Sequence, residues 1–347
     1  MAIQPSLALT AAADFMEPAL AELRKAAPGA TLLAMPAADI ALCTLPGSFF
    51  TLAERWRGQP PIFVRHIHPV QLTTPLRGGT ADPHIIQQEV VAEFAELVDP
   101  ELFFSVQTRV VGKRPYKPFT INRAVSDQLQ ALTGAPLNVR APQQIISILA
   151  TGESAFSGLS LAPHNLSDWA GGEHRFARHD AQISRAEFKL LEAFGCFNLQ
   201  LPARGRALDL GAAPGGWTRI LREKEQYVTA VDPGALHPRL AADKSVRHLP
   251  ITAEAYLAEG PDKYDLIVND MRLDARDSAR IMNSYARHLY THGMAIMTLK
   301  LPGEQAIQTM QQAAAILQKK YYIRQARQLF HNRQEITLVL EPIHTGR

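Results

Sequence analysis

Short apolar runs alternate with helically spaced apolar positions from the start of the chain. Residues 6–11, SLALTA, read as an opening strand, and Phe15 to Ala26 sets Ala19, Leu20 and Leu23 on one helical face. ATLLAM, IALCTL and PIFVRHI follow as strands, set off by Pro and Gly clusters. His84 to Leu97 has helical spacing through Val90, Val91, Phe94 and Leu97. A strand FFSVQTRVV, a basic turn from Gly112 to Pro118, a helix from Asn122 to Leu132 and a strand QQIISILAT complete this part.

The periodicity fades between Pro163 and Asp180, where turn formers crowd PHNLSDWAGGEHRFARHD, and this stretch reads as a linker. An amphipathic helix, Arg185 to Phe194, then precedes a β-α-β unit made of ALDLGAAPGG, a helix through Trp217 to Glu223, and YVTAVDP. DLIVNDM, GMAIMTLKL and EITLVLEP are further apolar strands separated by helices. Such alternation predicts an α/β fold with a mostly parallel, Rossmann-like sheet covered on both faces.

Composition narrows the function classes only a little. A chain of 347 residues suits two or three domains, and 46% hydrophobic with 20% charged residues describes an ordinary globular protein. No run approaches the roughly 18–20 apolar residues of a spanning helix. The N-terminal MAIQPSLALTAAADFMEP lacks a basic stretch and is interrupted by Asp14 and Glu17, so neither a membrane span nor a signal peptide is expected. Cys43 and Cys196 stand far apart without metal-type spacing, which fits buried thiols in a reducing cytoplasm, and no metal is expected. The formal charge of +3 permits an RNA partner without demanding one.

The segment ALDLGAAPGGW carries the most chemistry. A hydrophobic strand runs through Asp209, and the chain turns through Gly211, Ala212, Pro214, Gly215 and Gly216 into a helix bearing Trp217. Glycines let a backbone approach a ligand closely, and this loop sits at the carboxyl end of the first strand, where open α/β sheets bind ligands. The next strand ends at Asp232, placed to accept hydrogen bonds from a ribose diol. Neither the dinucleotide fingerprint nor a phosphate loop is present. A proline in the loop and an acid closing the next strand fit a ligand with an adenosine end and no pyrophosphate, such as S-adenosylmethionine. Trp217 itself reads most simply as a packing residue.

Four more residues sit at related points: Lys189 on the preceding helix, Asp270 closing DLIVND, Lys300 ending MAIMTLK and Glu335 beginning EITLVL. With them the chain resembles the FtsJ-type RNA 2′-O-methyltransferases, which pair DLGAAPGGW with a Lys-Asp-Lys-Glu tetrad. SRAEFKLLEAF, DLGAAPGGWT, VNDM, LKLP and QARQLFHNRQEITLVL resemble one branch in order and spacing, the RlmM-type 23S rRNA cytidine 2′-O-methyltransferases. The resemblance is strong over residues 180–342. It implies S-adenosylmethionine as cofactor, 23S rRNA or a ribosome-assembly intermediate as partner, and a cytoplasmic location. It also implies an N-terminal α/β extension over 1–95, a THUMP-like RNA-binding domain over 96–165, a linker over 166–180 and an FtsJ-like domain over 181–347.

A ribose hydroxyl is almost fully protonated at neutral pH, so a catalyst must align it and remove its proton. Lysine suits this if burial or a neighbouring cation lowers its pKa. Lys300 is therefore expected as base or principal positioner, Asp270 as its orienter, and Lys189 and Glu335 as support. The position after the fourth strand reads NDMRL, without the proline pair of amino-methylating enzymes. Neither cysteine falls in a ligand-side loop, as carbon-5 cytosine methylation requires. In the wider family an acid contacts adenine after the third strand; here Thr252 stands near that place, with Glu254 close behind. Lys113, Arg114 and Lys117, interleaved with Tyr116 and Phe119, form a candidate RNA loop, to which Arg175, Arg178 and Arg185 add phosphate contacts. His66 and His68 share one strand face and read as structural or exposed. Two alternatives stay open: a catalytically silent RNA-binding or assembly protein, and a methyltransferase for a non-RNA substrate.

Overall fold

The computed structural model describes residues 4–177 and 182–343. The chain forms two compact units, Met1–Glu173 and His174–Arg347, so their division falls inside the expected linker.

The first unit opens with β1 (Leu7–Ala11), α1 (Met16–Ala26), β2 (Thr31–Ala37), β3 (Ile40–Thr44), α2 (Phe49–Gly58) and β4 (Val64–Pro69). These strands make an antiparallel sheet in the order β2-β3-β1-β4. Helix α2 was not anticipated from the sequence. It starts where the Ser48 hydroxyl accepts the Phe50 N–H, and it buries Phe49, Leu52, Ala53 and Trp56. His66 and His68 on β4 are both buried, and loss of solvent pushes His68 down to about 4 and His66 well below the ordinary histidine value.

The same unit continues with β5 (Leu72–Pro75), α3 (Asp82–Phe94), β6 (Phe104–Val110), α4 (Pro118–Thr133), β7 (Gln144–Ala150) and β8 (Ser154–Leu161). They form a second sheet, β5-β8-β7-β6, with β6 and β7 parallel. Ile86, Val90 and Phe94 of α3 pack with Ile121, Val125 and Leu129 of α4 over Phe104, Val106, Ile146 and Ile148. This layer therefore draws β5 and α3 from before residue 96, where the sequence reading placed a boundary. The apolar stripe of α3 finds its cover on β6 and α4, and β5 pairs with β8.

The second unit carries α5 (Glu187–Cys196), β9 (Arg206–Leu210), α6 (Gly216–Glu223), β10 (Tyr227–Val231), α7 (Pro238–Ala241), β11 (Val246–Leu249) and α8 (Ala253–Ala258). It ends with β12 (Tyr264–Asn269), α9 (Ala275–Tyr285), β13 (Leu289–Lys300), α10 (Ala306–Leu317), β14 (Tyr321–Arg327) and β15 (Glu335–Pro342). Seven strands lie in the order β11-β10-β9-β12-β13-β15-β14. From β11 to β13 neighbours are parallel, whereas β15 runs antiparallel to both β13 and β14. Ala207 and Leu208, on opposite faces of β9, are both fully buried, which is the mark of a Rossmann-like sheet covered on two sides. The reversal of β15 matters for the site. Its first residue lies at the edge where β9, β12 and β13 end, and Glu335 faces Lys300 across the ladder.

Within the first unit, Gly158 on β8 lets the chain pass beneath Pro69: a Cβ there would lie 2.1 Å from the Pro69 carbonyl oxygen. Gly158→Ala is expected to destabilise this unit by about 1–3 kcal/mol through overpacking. Gly47→Ala, which meets nothing within 4 Å, should change little. Denaturant melts of the two variants check this; equal stabilities would contradict the close approach.

Candidate active site

A cleft of about 880 Å³ opens at the carboxyl edge of the second unit's sheet. Its floor is the loop from β9 into α6. Gly211 has φ +79° and Gly215 φ +112°, values that L side chains resist. The space is also closed to side chains. A Cβ on Gly211 would fall 2.6 Å from Met271 Cγ, and one on Gly216 would fall 2.1 Å from Ser184 Oγ. The loop lines the cleft along Gly211, Ala212, Ala213, Pro214 and Gly216, with backbone free of side chains at the two glycines. Trp217 is buried and its indole N–H donates to the Ala186 carbonyl at 2.8 Å, pinning α6 to the entry of α5.

Asp209 lies under this loop, almost wholly buried, and accepts a hydrogen bond from Thr218 Oγ1 at 2.6 Å. Burial pushes its carboxyl up to about 7, with the Thr218 bond opposing and the Asp270 and Asp232 charges adding. Ser184, which sequence reasoning missed, also lines the cleft, and its buried hydroxyl has no hydrogen-bond partner among the described residues. An orphaned donor facing a bare glycine loop, with a carboxyl beneath, fits the polar end of an amino-acid-bearing nucleoside such as S-adenosylmethionine.

The four charged residues meet at one side of the cleft. Lys189 Nζ lies 3.1 Å from Asp270 Oδ2 and 2.6 Å from Glu335 Oε1. Lys300 Nζ donates to Asp270 Oδ1 at 2.6 Å, to Thr298 Oγ1 at 2.9 Å and to Glu335 Oε2. Each lysine thus bridges both carboxylates, closing a ring. Thr298 donates in turn to Asp270 at 2.7 Å, a contact that the i, i+2 alternation on β13 could have flagged. Burial works against the charge on Lys189, but Asp270 and Glu335 outweigh it and hold its pKa above the ordinary lysine value. Burial likewise opposes the charge on Asp270, and Lys300 and Lys189 overcome it, so its pKa lies below the usual carboxylate range.

The remaining candidates fall elsewhere. Asp232 is half-buried beside the loop, its Oδ1 accepting the Gly234 N–H at 2.7 Å, and it is not among the residues lining the cleft. Thr252 caps α8, accepting the Ala255 N–H at 3.2 Å, and is also outside that lining. Lys113 and Lys117 are exposed between β6 and α4 in the first unit, with Phe119 exposed nearby, whereas Arg114 is half-buried. Arg175 and Arg185 are exposed in the second unit, and Arg185 lines the cleft. Arg178 lies outside the described residues. His174, Glu192 and Cys196 bring donor atoms within 4.8 Å of one another. The Glu192 oxygens accept the backbone N–H groups of Phe330 and His331 at 2.7 and 2.8 Å, which accounts for that carboxylate's position.

Residues 182–325 match the FtsJ-like methyltransferase family. The chain is 36% identical over 173 residues to the ribosomal RNA large subunit methyltransferase M of Halorhodospira halophila, covering 49% of this chain and 50% of that protein. Its identity to the protein of the same name from Shewanella frigidimarina is 33% over 224 residues, covering 60% of each. The chain thus spans about half the length of the first of these relatives and three-fifths of the second. Among solved structures, TrmN from Thermus thermophilus aligns over 97% of this chain and 99% of its own, with a TM-score of 0.42 and 17% identity.

The raised Asp209 pKa makes a prediction about stability. In the folded state this carboxyl keeps its proton up to about pH 7, whereas unfolded it ionises near 4. The folded state then binds the extra proton between those values, so this group's contribution falls as pH rises from about 4 to 7. Asp209→Asn removes the contribution and leaves an oxygen to accept from Thr218. Its Tm relative to wild type should therefore rise from pH 5 to about pH 7 and level off above it; a constant offset would contradict the assignment.

Proposed function

We propose that the chain transfers a methyl group from S-adenosylmethionine to a ribose 2′-hydroxyl of RNA. The observation that carries this reading is the closed ring of two lysines and two carboxylates set against a bare glycine loop at the carboxyl edge of the sheet. The names of the relatives support large-subunit ribosomal RNA as the substrate class, and the RlmM-type resemblance supports a cytidine as target. Residues 96–165, with the basic and aromatic loop at Lys113, Arg114, Lys117 and Phe119, are assigned to RNA binding as the THUMP-like part, preceded in sequence by the α/β extension over residues 1–95. A cytoplasmic location fits this substrate. No described helix is long and apolar enough to cross a membrane.

Asp209, Ser184 and the Gly211–Gly216 backbone hold the cofactor, which supplies an electrophilic methyl group when bound. Lys189, its pKa raised by two carboxylates, stays an ammonium and steadies negative charge developing on the ribose oxygen. Lys300 Nζ, aimed by Asp270, Glu335 and Thr298, is the principal positioner of the 2′-hydroxyl and the group nearest to receive its proton. The carboxylates around that nitrogen are already in place, so little reorganisation accompanies the transfer. Thr298 keeps Asp270 turned toward Lys300 while that proton moves.

The assay is methyl transfer from labelled S-adenosylmethionine to undermethylated total RNA, followed by nuclease digestion. Wild type should place label on a ribose 2′-oxygen. Lys300→Ala should lower the rate by about 10²-fold or more and retain cofactor binding. Label on a base, or a fully active variant, would contradict the proposal.

A further inference from the structure

The segment preceding Glu335, residues 328–334, has no regular secondary structure and is tied down by side-chain hydrogen bonds. Glu192 fixes the backbone N–H groups of Phe330 and His331. Gln328 Nε2 donates to the Arg333 carbonyl at 3.0 Å, and Asn332 Nδ2 donates to the Glu335 carbonyl at 3.2 Å and to Thr337 Oγ1 at 3.0 Å. A loop built this firmly presents Phe330, His331 and Arg333 to the cleft.

Facing the same space are Phe188, Arg185 and Arg272. Phe188 lies 5.1 Å from the His331 ring between centroids, so the aromatic groups form one continuous wall. Arg185, Arg272 and Arg333 are exposed, and none of their guanidinium groups is ion-paired among the described residues. The carboxylates lining the cleft are already engaged: Asp270 and Glu335 by the lysines, Asp209 by Thr218. Five cations thus line the cleft against three carboxylates. With about 880 Å³, it also lies toward the upper end of the roughly 300–1,000 Å³ seen for ligand pockets, leaving room beside a cofactor.

We propose that the 328–334 loop, with Phe188, Arg185 and Arg272, is the seat of the target nucleotide. The aromatic wall receives a face of the base, and the three arginines take the phosphates on either side of it. Stacking tolerates any base, while guanidinium forks match phosphate oxygens, so together they orient a splayed-out nucleotide with its ribose toward the lysine ring. This assignment rests on the proposed RNA ribose methylation, and the experiment separates the two.

Phe330→Ala, Phe330→Tyr, Arg272→Ala, Arg333→Ala and Arg333→Lys would be assayed for methyl transfer to undermethylated RNA. Cofactor affinity by calorimetry and RNA affinity across a salt series complete the set. Phe330→Ala should lower kcat/KM about tenfold, with Phe330→Tyr close to wild type. Each arginine-to-alanine change should weaken RNA binding and make its salt dependence shallower by about one phosphate contact. Arg333→Lys should regain the salt slope but only part of the rate, and cofactor affinity should be unchanged throughout. An active wild type whose variants keep full kcat/KM would overturn the seat alone. Loss of cofactor affinity in parallel with activity would assign these groups to the cofactor instead. A wild type that labels no RNA ribose would overturn the proposed function, and the seat with it.

Discussion

Four charges taken largely out of water have to be neutralised where they stand, and that constraint organises the second unit. Lys189 comes from α5, Asp270 from the end of β12, Lys300 from the end of β13 and Glu335 from the start of β15. Removing a buried charge from its partners is costly, while an apolar replacement of the whole group is often neutral or stabilising. The ring is therefore poorly explained as a device for stability. Its geometry is better explained as a site: each lysine is shared between two carboxylates, so a proton leaving or arriving at one nitrogen meets compensating charge at once.

The fold supplies this geometry through one reversal. Parallel strands alone would deliver Asp270 and Lys300 to the carboxyl edge. An acid at the beginning of a strand reaches that edge only if the strand runs the other way, as β15 does. The glycine loop is placed by the same logic, because β9 ends between β10 and β12, beside the strand that ends at Asp270. Trp217, bonded to the Ala186 carbonyl, then ties the loop's helix to the helix bearing Lys189.

Much of this was legible in the sequence because it rests on strand ends and on residues without alternatives. The turn through Gly211 to Gly216 needs positive φ and bare backbone, and both leave marks in composition. The alternation of strands and helices predicted the sheet, and three of the four tetrad residues lay at predicted strand termini, with Lys189 on the preceding helix. What the sequence concealed depends on contacts between distant segments. Ser184 is an ordinary hydroxyl until Gly216 is folded against it. Thr252 and Asp232 were named by order along the chain alone; the backbone N–H groups that their side chains accept in their own turns emerge only in the fold. The core that α3 shares with β6 and α4 was likewise hidden, since an amphipathic stripe does not name its partner.

Lys300 is proposed to act on a reacting group rather than merely to balance buried acids. The most direct measurement compares Lys300→Met, Glu335→Gln and the double variant for thermal stability and methyl transfer together. Each single change leaves an unbalanced charge in the ring, and the double change restores neutrality. The double variant should regain much of the lost Tm but none of the methyl transfer lost with Lys300. Activity returning together with stability would contradict that role and reduce the ring to a structural charge cluster.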